Sequence, residues 1–162
     1  MTNSFGTTVV HPVVVTANLN VAMAYYCDVI GLIEATPVHH DADRLTRLNG
    51  LKNPVADAVV LRAPGGGEIE LVQFYHPVGN STIEHGWSNV GISSITFRVD
   101  RLETSLDRVR AAGYHTLGEI VRFPERDGQA LDVVYISAPD GVVITLITTV
   151  LLSENPKAKE VE

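Results

Sequence analysis

Ala63-Pro64-Gly65-Gly66-Gly67-Glu68-Ile69-Glu70-Leu71-Val72-Gln73 returns as Ala138-Pro139-Asp140-Gly141-Val142-Val143-Ile144-Thr145-Leu146-Ile147-Thr148, every aligned pair standing 75 residues apart. Each copy predicts strand, tight turn and strand, because Pro presets φ, Gly accepts positive φ, and apolar runs flank both. The copies differ at one telling place. Glu70 is a carboxylate inside an apolar strand, and its counterpart is Thr145.

Outward from this stretch the order of elements also repeats. Val9 to Thr16 predicts a strand, with Pro12 marking its start, its edge or a bulge. Asn18 is a good N-cap for a helix carrying Leu19, Met23, Tyr26 and Ile30, stopped by Gly31. Strands follow at 32–39, 56–63 and 68–75, separated by a polar, partly helical insertion over 41–53. Residues 76–89 read as a linker. The second half runs strand 90–99, helix 101–112 with Leu102, Leu106 and Val109, stop at Gly113, then strands 115–122, 131–138 and 142–149. His11 precedes Leu19, Met23 and Tyr26 by the same intervals at which Ser94 precedes Leu102, Leu106 and Val109.

The expected fold class is therefore α+β: two βαβββ modules, about 8–76 and 90–150, within one domain over 1–162, followed by a mobile tail at 153–162. Side by side, they would form a curved, cavity-enclosing mixed sheet. Strand parity assigns faces. Ile69, Leu71, Val59 and Leu61, with Ile144, Leu146, Val134 and Ile136, go to the core. His11, Val13, Val15, Val60, Arg62, Glu68, Glu70, Val72 and Phe74 go to the cavity side in the first module. In the second, Ser94, Thr96, Arg98, Tyr135, Ser137, Val143, Thr145 and Ile147 do so.

Composition bounds the function. With 19 acidic against 12 basic residues the net charge is −7, and no Lys/Arg cluster exists, so no nucleic acid or anionic membrane is expected as partner. No apolar run approaches membrane-spanning length, and residues 1–30 lack a targeting pattern. A soluble cytoplasmic protein is expected, with Cys27 a small buried hydrophobe rather than a catalytic thiol.

At this point the chain resembles the vicinal oxygen chelate superfamily, the group of glyoxalase I, methylmalonyl-CoA epimerase, extradiol dioxygenases, and fosfomycin and bleomycin resistance proteins. The resemblance rests on His11-Pro-Val-Val-Val-Thr-Ala-Asn-Leu19, Ala24-Tyr-Tyr-Cys-Asp-Val-Ile-Gly-Leu32 and Ile69-Glu-Leu71. In the second half it rests on Ile95-Thr-Phe-Arg-Val-Asp100, Arg110-Ala-Ala-Gly113 and Tyr135-Ile-Ser-Ala-Pro-Asp-Gly141. It covers about residues 8–150. It implies a homodimer, which the apolar run Thr148 to Leu152 would suit, and a metal site with one ligand from the first and last strands of each module. His11 and Glu70 match two ligand positions, whereas Ser94 stands where His is usual and Thr145 where Glu is usual. The cofactor expectation is none, or a divalent metal weakly bound by His11 and Glu70.

A carboxylate between Ile69 and Leu71 is costly to bury without a partner, and His11 is the natural one. The pair is an acid–base unit with or without a metal. The expected reading is a small-molecule isomerase, epimerase or lyase acting on an oxygenated carbonyl or enolisable substrate. His11, Glu70 and Tyr135 would be catalytic, and Arg62, Phe74, Ser94, Arg98 and Thr145 would bind substrate. The alternative is a metal-free binding protein of the bleomycin resistance type, lined by Val13, Val15, Val60, Val72, Phe74 and Ile147. The cluster His39, His40, Asp41 and Asp43 reads as a solvated loop or lid, and Glu84, His85 and Trp87 as a surface loop able to close over the cavity. Gly65 to Gly67 is a turn, not a phosphate loop.

Overall fold

The computed structural model describes residues 10–39, 41–79, 94–125 and 127–152. The chain divides into two compact units, residues 1–82 and 83–162, each built on its own four-stranded sheet.

In the first unit β1 is Val13–Val15, α1 is Leu19–Ala24 continuing as a π-helical turn over Tyr25–Ile30, β2 is Ile33–His39, α2 is Ala42–Asn49, β3 is Val55–Arg62 and β4 is Glu68–His76. The sheet order is β1-β4-β3-β2, with β1 parallel to β4 and the other pairs antiparallel. In the second unit β5 is Ile95–Arg98, α3 is Leu102–Ala111, β6 is Val121–Pro124, β7 is Gln129–Ser137 and β8 is Val143–Leu151. Its order, β5-β8-β7-β6, repeats the first with the same parallel and antiparallel pairings. Register supports the 75-residue correspondence: Val13 pairs with Glu70, and Thr96 with Thr145.

Why each sheet buries one face follows from its alternation. Leu61, Leu71, Val59 and Ile69 are 0–3% exposed on the face toward α1, and Val134, Ile136, Ile144 and Leu146 are 0–1% exposed on the face toward α3. The side chain of Gln73, on the α1 face, accepts a hydrogen bond from the Leu19 N–H at 2.8 Å and so ties the first turn of α1 to the sheet. Asn18 caps α1, accepting from the Val21 N–H at 3.2 Å, and Gly31 ends the helical segment at φ 92°.

The structure corrects the sequence expectation in two places. The face of α1 is shifted: Ala22, Tyr25, Tyr26 and Val29 are buried, whereas Leu19, Met23 and Ile30 are only partly so. The wider π-helical turn over Tyr25–Ile30 breaks the 3.6-residue spacing on which that expectation rests. The strand expected over 115–122 is reduced to an isolated pairing of Thr116 with Ile136, and the regular strand begins only at Val121. Strand β8 continues past the expected end at 149 to Leu151, with Thr148 buried at 7% and hydrogen-bonded to the Asp100 carbonyl at 3.3 Å. The insertion, expected to be partly helical, forms helix α2 over Ala42–Asn49, capped by Asp41, whose side chain accepts from the Arg44 N–H at 2.9 Å. Its Leu45 packs on Ala56, Ala58, Val72 and Phe74, so Val72 lies on the expected face but is 5% exposed, under α2. No described helix is long and apolar enough to cross a membrane. Residues 90–93 of the expected fifth strand, and the 153–162 tail, lie outside the described residues.

Candidate functional site

Glu70 sits mid-strand on β4, which β1 and β3 flank, aligned with Val13 on one side and Val60 on the other. Its backbone N–H donates to the Pro12 carbonyl at 3.0 Å, so the residue that cannot donate still fixes where the chain enters β1. One residue earlier, His11 places Nε2 3.4 Å from Glu70 Oε2, on the face opposite α1. The two side chains are 26% and 14% exposed. At that separation the contact is longer than a good N–H···O hydrogen bond. Among the described residues His11 Nδ1 is buried without a hydrogen-bond partner, and the ring approaches Glu70 through Nε2. Val13 and Val15 flank the pair on the same face and are 54% and 58% exposed.

The equivalent positions of the second unit are occupied differently. Thr145 is buried, and its hydroxyl donates to Ser94 Oγ at 2.8 Å. Thr96 and Tyr135 align with Thr145 on either side, and Tyr135 is 39% exposed. Ser137 Oγ approaches His115 Nδ1 at 3.3 Å and accepts from the His115 N–H at 3.1 Å.

The two arginines expected to bind substrate are in different electrostatic states. Arg62 gives both Nε and Nη2 to Glu68 Oε1, at 2.9 and 2.6 Å, so its charge is matched within its own sheet. Among the described residues, Arg98 donates through Nη1 alone, to Thr149 Oγ1 at 2.6 Å. Phe74 lies against the Leu45 cluster at the α2 end of its face. Asp41 is spent as a helix cap, while His40, Glu84, His85 and Trp87 lie outside the described residues. Burial, with the charges of Asp28 and Glu34, pushes the Cys27 thiol up, which is the wrong direction for a nucleophile.

Sequence reasoning missed two pairs. Arg122 clasps Asp132 through Nε–Oδ1 at 2.6 Å and Nη2–Oδ2 at 2.7 Å, holding the Asp132 carboxyl below its ordinary range. Tyr75 donates to Asp57 Oδ2 at 3.1 Å, which raises the phenol above its ordinary value. The only signal for either is strand register, which a single sequence does not display.

The residues present do not fit the divalent-metal site that the resemblance implies. Two of its four positions hold neutral hydroxyls that bond to each other, and such groups are poor donors for these ions. Among the described residues, no three His, Cys, Asp or Glu side chains gather where they could hold an ion.

Residues 8–146 match the family model of the Glyoxalase/Bleomycin resistance protein/Dioxygenase superfamily. Comparison with curated proteins finds no match. Among solved structures, a glyoxalase family protein from Bacillus cereus is similar with a TM-score of 0.79 at 20% identity, over 93% of this chain and 99% of that one. The trypanothione-dependent glyoxalase I of Leishmania major gives 0.60 at 16% identity, over 88% and 86%. A genomically encoded fosfomycin resistance protein from Listeria monocytogenes gives 0.58 at 12%, over 87% and 90%. At these identities the likeness is one of fold.

Proposed function

The chain belongs to the Glyoxalase/Bleomycin resistance protein/Dioxygenase superfamily, and from that premise we propose that it is a small-molecule enzyme of the isomerase, epimerase or lyase type. Its substrate is an oxygenated compound with an acidic C–H beside a carbonyl. The observation that carries this reading is the His11 Nε2 to Glu70 Oε2 approach of 3.4 Å on the sheet face opposite α1. His11 Nε2 takes the proton from carbon, and the C–H electron pair moves onto the carbonyl oxygen to give an enolate. Glu70 orients the imidazole and balances the imidazolium that forms. Return of the proton to carbon completes an isomerisation or epimerisation.

The reading includes chemistry without the family's full metal site, supported by the hydroxyl donor set at Ser94 and Thr145. For the same reason extradiol dioxygenation is disfavoured, since it requires iron on two histidines and a carboxylate. The test is deuterium incorporation from D2O into a panel of enolisable carbonyl compounds, with metal analysis of the same preparation. Exchange that survives chelation and disappears in His11→Ala and Glu70→Gln is expected. A stoichiometric, tightly held ion would sink the metal-free version.

A second reading, sequestration of an apolar compound, is favoured by the exposed Val13 and Val15 beside the pair. It predicts that both variants keep full ligand binding and that no exchange is catalysed by the unaltered protein.

A further inference from the structure

Three arginines lie on strands in the described residues: Arg62 on β3, Arg98 on β5 and Arg122 on β6. Two of them use the same edge of the guanidinium, the parallel Nε–H and Nη2–H, to grip a carboxylate from the neighbouring strand. Arg62 grips Glu68, and Arg122 grips Asp132. Arg98 does not. Its Nη1 donates to Thr149 Oγ1 at 2.6 Å, and among the described residues no carboxylate lies within ion-pair distance of it. The Thr149 contact pins the side chain along β8, because Arg98 aligns with Ile147 and Thr149 is two residues farther on. Among the described residues, the Nε/Nη2 edge has no partner.

The rest of that face bears on what would use it. On the side opposite α3, register places Thr96, Thr145, Ile147, Thr149, Val133 and Tyr135 around Arg98. Neither β5, β8, β7 nor β6 contributes an Asp or Glu to this face, since Asp132 alternates to the α3 side with Thr148. The equivalent face of the first unit carries both Glu68 and Glu70. Among the described residues, this face of the second unit thus presents one cation, hydroxyls and apolar side chains, inside a chain whose net charge is −7.

We infer that the face of the second sheet opposite α3 binds the carboxylate of a small organic monoacid, with Arg98 as a bidentate anchor held in place by Thr149 and the apolar body lying over Ile147 and Val133. A planar carboxylate matches the parallel Nε–H and Nη2–H donors. A lone guanidinium in an acidic protein is a weaker match for a dianion such as phosphate, which gathers several cations. Thr145 lies two residues before Ile147 and four before Thr149, so its hydroxyl stands roughly 7–13 Å along the strand from the anchor, at about 3.3 Å per residue. A ligand of that length spans from the anchored carboxylate to the hydroxyls of Thr96, Thr145 and Tyr135. The inference stands apart from the acid–base reading of His11 and Glu70 and does not require it.

The experiment titrates the full chain with phenylbutyrate, phenylbutyramide and inorganic phosphate, by calorimetry and by the Arg Nε–H resonances. Saturable phenylbutyrate binding that shifts one arginine resonance is expected. It should weaken at least tenfold for the amide and in Arg98→Gln, and less in Arg98→Lys, which keeps the charge without the planar fork. Arg108→Gln, which removes the same charge from the exposed side of α3, should stay within twofold. Thermal melting of each variant separates lost binding from lost folding. Absent phenylbutyrate binding, equal binding of the amide, equal binding by a folded Arg98→Gln, or tighter binding of phosphate would each overturn the proposal. Loss of proton exchange in Glu70→Gln with phenylbutyrate binding unaltered would separate the two sites, each standing on its own result.

Discussion

At the scale of single residues, position in a strand matters less than which partner the register supplies. Glu70 is legible in the sequence because a carboxylate between Ile69 and Leu71 contradicts its surroundings, and its approach to His11 gives the contradiction a use. Replacing it with Gln keeps the volume and removes the charge that balances an imidazolium. A fall in kcat/KM of about 10²–10⁴-fold is expected, with melting temperature little changed. Steady-state kinetics on whichever compound shows proton exchange checks this, and a fall of less than tenfold would remove Glu70 from the chemistry. The two arginines were not separable by sequence, since both occupy the same parity. Arg62 finds Glu68 across a hairpin whereas Arg98 finds Thr149 on a parallel neighbour, and only pairing register tells them apart. The same holds for Tyr75. Its hydrogen bond to Asp57 raises its ionisation, so Asp57→Asn should bring the phenol back down toward the ordinary tyrosine value in a spectrophotometric titration. An unmoved titration would show that the bond is not formed in solution.

Elements were legible where one period ran through them and obscure where it changed. Strand β7 alternates cleanly, and the helix-facing core residues of β3, β4 and β8 match the parity expectation, although Ala58, Val72 and Thr145 are buried on the opposite face as well. In α1 the turn widens at Tyr25, so counting by 3.6 selected Met23 and Ile30 in place of Ala22, Tyr25 and Val29. Tyr25 and Tyr26 are both buried and meet edge to face, with centroids 5.3 Å apart. Helix α2 was legible as a partly helical stretch, but its bounds were not, because its composition is polar and Leu45 is its only buried side chain. An eight-residue helix is marginal alone, so that one contact with Ala56, Ala58, Val72 and Phe74 secures it. Leu45→Ala should cost roughly 2–3 kcal/mol where the helix stays docked. Above that cost α2 should detach while β3 and β4 persist. Hydrogen exchange checks this: amides of Ala42–Asn49 should lose protection and those of β4 keep it. Uniform loss across the unit would show instead that α2 is integral to the sheet's stability.

For the whole molecule, the repeat is what the sequence discloses best, because 75-residue spacing of Pro, Gly and apolar positions survives changes that alter function. Both units kept the strand order and the helix-facing core, and they diverged on the opposite face, where Glu70 became Thr145 and His11 became Ser94. Divergence also reached the helix-facing side of the second unit, where Asp132 is nearly buried on β7 and gripped by Arg122 of the edge strand β6. That grip lowers the Asp132 ionisation below its ordinary value near 3.8, chiefly through the hydrogen bonds from Arg122 and against the opposing effect of burial. A carboxyl depressed by folding binds its proton more weakly in the native than in the unfolded chain. Its stabilising contribution is therefore complete above the unfolded value of about 3.9, and it declines as pH falls from there through the lower folded value. Asp132→Asn removes this dependence and leaves an amide that cannot match the guanidinium. Denaturant midpoints compared from pH 7 to pH 3 should show the variant less stable at neutral pH, with the gap narrowing toward the acid end. A gap constant across that range would mean that the Arg122 clasp adds nothing to the stability of the folded chain.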